Sequence, residues 1–388
     1  MYLNSTMVNN NLRFAMIFAL SFVGNALFLS IPLMLFLICF CSILLWKQQN
    51  ILNNKNITVS LFIISALLFF FTKNLMEPRA YDQFYFLWPI YLSLFIFFCS
   101  KEDIFGSFYP PIGITFFLGI FFLWGAMNYE DASGRAYFIF GANVLYRLFL
   151  FLSFLQIIHS NNTLLKLLFF LIGITGVYLT GSRMGLMLAI SLYSLYFLSP
   201  FNNFGKIQFK KLSRIFLIIP LLLVAILINS EEISAIYNLL LSSEGMASRL
   251  LMLSGGSISI RVDFLTSFME HFSIFGTSSH VFNFFYFKSY FSYPHNIIAE
   301  LIFYYGVVGI LFSLIILFEY SKTFFRFLKK TKLPPIEIAF LIIFPSCLAS
   351  GDIVDGLLVL FYSFVTFLIW CSNLLKRLEL AYLINNKI

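Results

Sequence analysis

Apolar residues come in long unbroken runs separated by short polar breaks, and the runs are the length of membrane helices rather than of strands or surface helices. A helix needs roughly 20 apolar residues to cross a hydrocarbon core. The pattern predicts spans near 12–25, 28–46, 57–72, 84–99, 111–127, 136–158, 163–180, 184–199, 212–229, 296–320, 336–350 and 353–373. The first block, Arg13 to Trp46, is too long for one helix and is divided at Gly24-Asn25. It is also too long for a cleavable leader and has no small-residue cleavage site, so it is expected to remain as an anchor. Most connections are short. One is not: 230–294 is a long polar segment after the ninth span.

That segment carries its own pattern. Gly255-Gly256 breaks the chain, and Ile258, Ile260, Val262, Phe264, Leu265 and Phe268 then alternate with Arg261, Asp263 and Glu270. This spacing predicts an amphipathic helix at the membrane surface or over the bundle. Phe275-Gly276-Thr277 is expected to end it, and the aromatic run Phe282 to Phe291 suits an interfacial segment. No internal repeat is visible, which weighs against a transporter built from duplicated halves.

Composition agrees with this reading. The chain of 388 residues is 60% hydrophobic and 11% charged, outside the range of soluble domains. The fold expected is an all-α polytopic membrane protein with about 12 transmembrane helices, one domain over 1–388 that includes the 230–294 external loop. The formal charge of +8 does not imply a nucleic-acid partner, because most of the 25 Lys and Arg fall on one side of these spans. Lys47, Lys55, Lys101, Lys166, Lys206, Lys210, Lys211, Arg214 and the Lys322 to Lys332 cluster, with Arg13 and the C-terminal Lys376, Arg377 and Lys387, lie on the inner side. The positive-inside rule then places both termini in the cytoplasm and the long loop outside. Cys39, Cys41, Cys99, Cys347 and Cys371 lie in or beside apolar runs and read as small buried hydrophobes.

Polar residues on the outer side carry the candidate chemistry. His295-Asn296 opens the tenth span after Pro294, Glu300 follows one turn later, and Tyr305-Gly306-Val307-Val308-Gly309 comes next. A histidine with a pKa of about 6.5 can take a hydroxyl proton, and Asn296 can orient an imidazole or a sugar hydroxyl. Thr180-Gly181-Ser182-Arg183 places an arginine at a helix start, and Arg261 lies in the loop. A guanidinium offers a planar fork of donors that suits diphosphate oxygens, although lipid headgroups or a local ion pair would also satisfy it. Arg135 precedes Gly141-Ala142-Asn143, and Asn143 and Arg147 share a helical face. An arginine inside a span normally faces the bundle interior or a wet cavity, with Asp352 or Asp355 as alternative partners for Arg147.

These motifs resemble the O-antigen polymerase and O-antigen ligase superfamily. The resemblance rests on Thr180-Gly181-Ser182-Arg183-Met184-Gly185, on Arg261 followed by Phe275-Gly276, on His295-Asn296 with Gly306 and Gly309, and on Gly141-Ala142-Asn143 with Tyr146-Arg147, where alanine stands for the proline of the polymerase pattern. It implies a metal-independent GT-C-like glycosyltransferase of the bacterial inner membrane, with no cofactor and its site on the periplasmic side. Its partners would be undecaprenyl-diphosphate-linked oligosaccharide, membrane lipids and, as a candidate, a chain-length regulator. His295, Arg183 and Arg261 would be catalytic. Asn296, Glu300, Arg135, Asn143 and Arg147 would bind substrate, and no metal site is expected. A polymerase of O-antigen or capsular repeat units is favoured, with a ligase to lipid A–core as the alternative and a lipid-linked oligosaccharide flippase as a different class.

Overall fold

The computed structural model describes residues 5–22, 111–130, 135–136, 138–198, 273–274, 276, 296–350, 356, 358–367 and 370. Regular structure among them is helical: α1 Ser5–Phe22, α2 Ile112–Asn128, α3 Ala142–His159, α4 Thr163–Leu179, α5 Arg183–Leu198, α6 Ile297–Leu328, α7 Pro335–Ser350 and α8 Leu358–Phe367. Two isolated antiparallel bridges, Glu130 to Ala136 and Phe138 to Phe140, lie between α2 and α3. The expected spans at 28–46, 57–72, 84–99 and 212–229, and the amphipathic loop helix, lie outside the described residues.

Helices α3 and α7 form the interior. Val144 to Ile157 are buried without a break, as are Leu333 to Phe344. A helix apolar on every side has no face to give to solvent and is driven to the centre of a bundle. The α3–α4 interface is the most extensive, and two glycines make it close. A Cβ at Gly176 would lie 2.3 Å from the Phe149 ring, and one at Gly173 would lie 2.7 Å from Ser153 Cβ. Small residues at such crossings let backbones approach and gain dispersion contact, the main source of helix association in lipid.

Some of the polar groups inside this apolar core are paired across helices. Gln156 Nε2 donates to Thr115 Oγ1 at 2.8 Å, and Tyr193 Oη donates to Ser153 Oγ at 2.7 Å. The outer faces are apolar too. Val307, Leu311, Leu314, Phe318 and Phe325 are exposed along one side of α6, as are Ile112, Phe116, Phe117, Ile120 and Trp124 on α2. Continuous exposed apolar stripes on this scale suit a hydrocarbon solvent. Among the described residues, Ala142–His159 and Tyr305–Leu328 are long and apolar enough to cross a membrane, and five shorter apolar helices accompany them.

Three expectations change. The span over 12–25 begins earlier, at Ser5, so Arg13 lies inside α1 rather than in a tail. The span over 136–158 becomes helical only at Ala142, because Ala136, Phe138 and Phe140 are in bridges and Ile139 is in a bend. Ile139 there has φ of 60°, a left-handed conformation that is strained for a β-branched residue. The span over 296–320 is not continuous. It bends at Gly306 (φ 56°, ψ −128°) into a limb from Ile297 to Tyr305 and a longer limb ending at Leu328. The limbs close on each other, since a Cβ at Gly309 would lie 2.0 Å from the Leu301 carbonyl oxygen.

Candidate functional site

The motif residues gather at the end of the bundle where α3, α5 and α6 begin and where α4 and α7 finish. Each helix start has a local cause. Helix α3 follows Gly141, which takes an extended conformation as its cap. Between α4 and α5 the chain reverses in three residues. Thr180 Oγ1 donates back to Val177 O at 2.7 Å, Gly181 takes φ of 61°, and Ser182 Oγ accepts from Gly185 N at 3.2 Å. Glycine at that φ and serine as N-cap are the residues this tight reversal requires. Arg183 is consequently the first residue of α5.

Helix α6 is capped by Asn296, whose Oδ1 accepts from Ile298 N at 3.0 Å and Ala299 N at 3.1 Å. The other half of the amide points to a different helix, and its Nδ2 donates to Leu348 O at 2.8 Å, in the last turn of α7. One side chain thus caps its own helix and ties it to a neighbour. Glu300, one turn into the limb, is fully buried. Further along, the bend at Gly306 docks against the Ile274–Gly276 part of the long loop. Val307 N donates to Ile274 O at 2.9 Å, and Gly276 takes φ of 82°. A Cβ at Gly306 would lie 2.1 Å from Ile274 O and 2.6 Å from Gly276 N, so only glycine fits the position.

The segment leading into α3 supplies the third group. Arg135 Nη2 donates to Asn143 Oδ1 at 3.3 Å. Arg147, one turn deeper, is fully buried, and its Nε donates to Ser346 Oγ of α7. Tyr146 Oη shares a hydrogen bond of 2.5 Å with the same Ser346 hydroxyl. The Tyr146 ring also meets the α4–α5 turn, because a Cβ at Gly185 would lie 2.6 Å from Tyr146 Cγ.

The structure therefore joins Arg135 to Asn143, places the start of α5 against Tyr146, and ties Asn296 and Arg147 to α7 two residues apart. The side chain of Arg183 lies outside the described residues, as do His295, Arg261, Asp352 and Asp355. The described partner of Arg147 is Ser346. Sequence reasoning missed Tyr146, Ser346 and the Leu348 carbonyl as members of the cluster. The Tyr146-Arg147 pair was a signal; a lone serine in an apolar helix was not.

Three helix N-termini converge at this end, each presenting a partial positive charge and backbone N–H donors. Arginines at 135, 147 and 183 stand on the elements that meet there. Such an arrangement favours anionic oxygens over neutral groups. Asn143 adds an amide able to read hydroxyls, whereas the Asn296 amide is taken up by the cap and by Leu348 O.

Comparison with known proteins agrees with the motif reading. Residues 168–314 match the family described as O-antigen ligase. The matched segment is under half of the chain. It runs from α4 through the α4–α5 turn and the long loop to the bend of α6, and so contains Arg183, Arg261, His295, Asn296, Glu300, Gly306 and Gly309. It supports the O-antigen ligase/polymerase superfamily, whose ligases and polymerase-like members are glycosyltransferase-like membrane proteins. Arg135, Asn143, Arg147 and Ser346 fall outside it. No curated protein and no solved structure matches the chain.

Proposed function

We infer, from a chain that carries an O-antigen ligase family segment, that this protein is a polysaccharide polymerase of the bacterial inner membrane. It joins undecaprenyl-diphosphate-linked repeat units of O-antigen or capsule at the periplasmic face. The observation that carries the reading is the convergence of the Arg135–Asn143–Arg147 group, the Arg183 turn and the Asn296 cap on the last turn of α7. These segments are distant in sequence and would have no reason to meet if each arginine served only a lipid headgroup.

The chemistry needs two things. A hydroxyl of the acceptor sugar attacks the anomeric carbon of the donor glycan and must lose its proton. In this reading His295 takes it. As the new glycosidic bond forms, the bond from the anomeric carbon to the diphosphate oxygen breaks, and undecaprenyl diphosphate departs with the electron pair. Arg183 and Arg261, together with the helix N-termini, stabilise that developing charge. Arg135 and Asn143 orient sugar or diphosphate, Asn296 and the buried Glu300 hold the start of α6 in place for them, and Arg147 adds buried positive charge behind them. A single displacement inverts the anomeric configuration. The remainder of the reading follows the sequence: about twelve spans in a GT-C-like fold, cytoplasmic termini, no metal or cofactor in the reaction, and a chain-length regulator as partner.

A ligase that transfers the glycan to lipid A–core has one observation in its favour, the description of the matched family. The polymerase reading rests on the Asn143–Arg147 segment. Purified protein supplied with lipid-linked repeat units alone tests the choice. A polymerase yields oligomers of the repeat with an inverted new linkage, and His295→Ala or Arg183→Ala abolishes them without loss of folded protein. Transfer only when lipid A–core is added would establish a ligase. Lipid translocation without any transfer would establish a flippase.

A further inference from the structure

Ser346 is a single hydroxyl near the end of an apolar helix, directly after Pro345. Serine in such a place commonly returns its hydroxyl to its own helix backbone. Here the hydroxyl faces α3 instead, accepting from Arg147 Nε and sharing a hydrogen bond with Tyr146 Oη. Proline supplies no N–H to the helix ladder, which loosens the backbone next to Ser346.

Two further contacts make this hydroxyl a junction. The Tyr146 ring is the surface on which Gly185 rests, two residues after Arg183. Two residues beyond Ser346, the Leu348 carbonyl receives the Asn296 amide, next in sequence to His295. The last turn of α7 therefore holds the start of α5 through Tyr146 on one side and the start of α6 through Asn296 on the other.

We propose that Ser346 is a positioning residue that fixes the starts of α5 and α6 relative to each other by anchoring Tyr146 and Arg147 to the last turn of α7. The inference rests on the site reading above, but its central claim is geometric. A leaving-group cation and a proton acceptor serve one reaction only if their separation is held, and a misplacement near 1 Å can cost on the order of 100-fold in rate. The bundle supplies its own control. Tyr193 and Ser153 form a similar buried bond of 2.7 Å between α5 and α3 that touches no motif segment.

The test compares Ser346→Ala, Ser346→Thr, Tyr146→Phe and Ser153→Ala in the full-length protein. Two readouts are used: amide hydrogen exchange over 181–186 and 296–301, and glycan transfer using lipid-linked repeat units isolated from a strain lacking this gene. Ser346→Ala should speed exchange in both segments together. It should lower kcat by about 10- to 100-fold with a smaller change in KM, and Ser346→Thr should recover much of both. Ser153→Ala should lower the melting temperature while leaving exchange in the two segments and kcat near wild type. Tyr146→Phe gives the same readouts if Ser346→Ala does not fold. Unchanged exchange in either segment would overturn the proposal, whatever the activity. Coupled exchange in a wild-type protein that transfers no glycan would uphold the positioning role and overturn the polymerase reading.

Discussion

Gly306→Ala is the sharpest perturbation available at this site. Gly306 sits at φ 56° and ψ −128°, a region in which an L-residue is strained by about 1–3 kcal/mol. The added methyl would lie 2.1 Å from Ile274 O, so the loop carbonyl must retreat by roughly 1 Å to reach ordinary contact. That retreat breaks the Val307 N to Ile274 O hydrogen bond of 2.9 Å, worth about 0.5–1.5 kcal/mol net. Together the two effects come to about 2–4 kcal/mol against the closed arrangement. Protection of the Val307 amide in hydrogen exchange should fall by about 30- to 1,000-fold, following the tenfold change expected per 1.4 kcal/mol. Transfer activity should fall with it, since the clasp at Ile274 holds the loop that carries Arg261. Gly113→Ala is the control: nothing lies within 4 Å of its added Cβ, and alanine favours a helix by roughly 0.5–1 kcal/mol. A Gly306→Ala protein with wild-type protection at Val307 would refute the reasoning, because the substitution cannot be accommodated with the clasp intact.

Other outcomes follow from the same geometry. Asn296→Ala should cost about 1–2 kcal/mol of local helix stability through the lost cap and reduce transfer. Asn296→Asp keeps the cap acceptor but turns a carboxylate oxygen toward the Leu348 carbonyl, so it should recover only the cap's share of the melting temperature and not activity. Gly173→Ala drives a methyl to 2.2 Å from the Tyr193 hydroxyl and should lower thermal stability by the 1–3 kcal/mol typical of overpacking, read by thermal melting in detergent. At the opposite end of the bundle, Arg326 pairs with the buried Glu337. Arg326→Ala should destabilise by about 1–3 kcal/mol by leaving that carboxylate short of a partner, with kcat unchanged; a matching loss of kcat would tie that end to the chemistry.

Much of the helical frame was legible because lipid imposes a simple rule on sequence. Runs of about the right length, punctuated at Gly181-Ser182, gave α2, α4, α5 and α7 nearly to the residue. The errors have physical causes. Hydrophobicity counts residues and cannot show a chain doubling back, so the bend in α6 was hidden inside one apolar run. The Gly306 and Gly309 pair marked it, since glycine is the residue a bend and a close approach demand. The run Ala136 to Phe140 was counted with α3 because it is apolar, yet its aromatic and β-branched content favours extended backbone.

The candidate site was legible as motifs and not as contacts. Asn143, Arg147, Arg183 and Asn296 could be placed on one side of the bundle by counting spans. Nothing in the sequence of α7 announced that its last turn would join them. A serine and a backbone carbonyl carry no pattern of their own, and their role exists only once Tyr146 and Asn296 have been folded against them.

The most direct test of the central claim is a carbohydrate gel of surface glycan from a strain in which this gene is deleted and then restored. A polymerase predicts lipid A–core carrying a single repeat unit in the deletion, with the full ladder regained by the wild-type gene and not by His295→Ala. Unmodified core with accumulated lipid-linked polymer would contradict that account and establish a ligase.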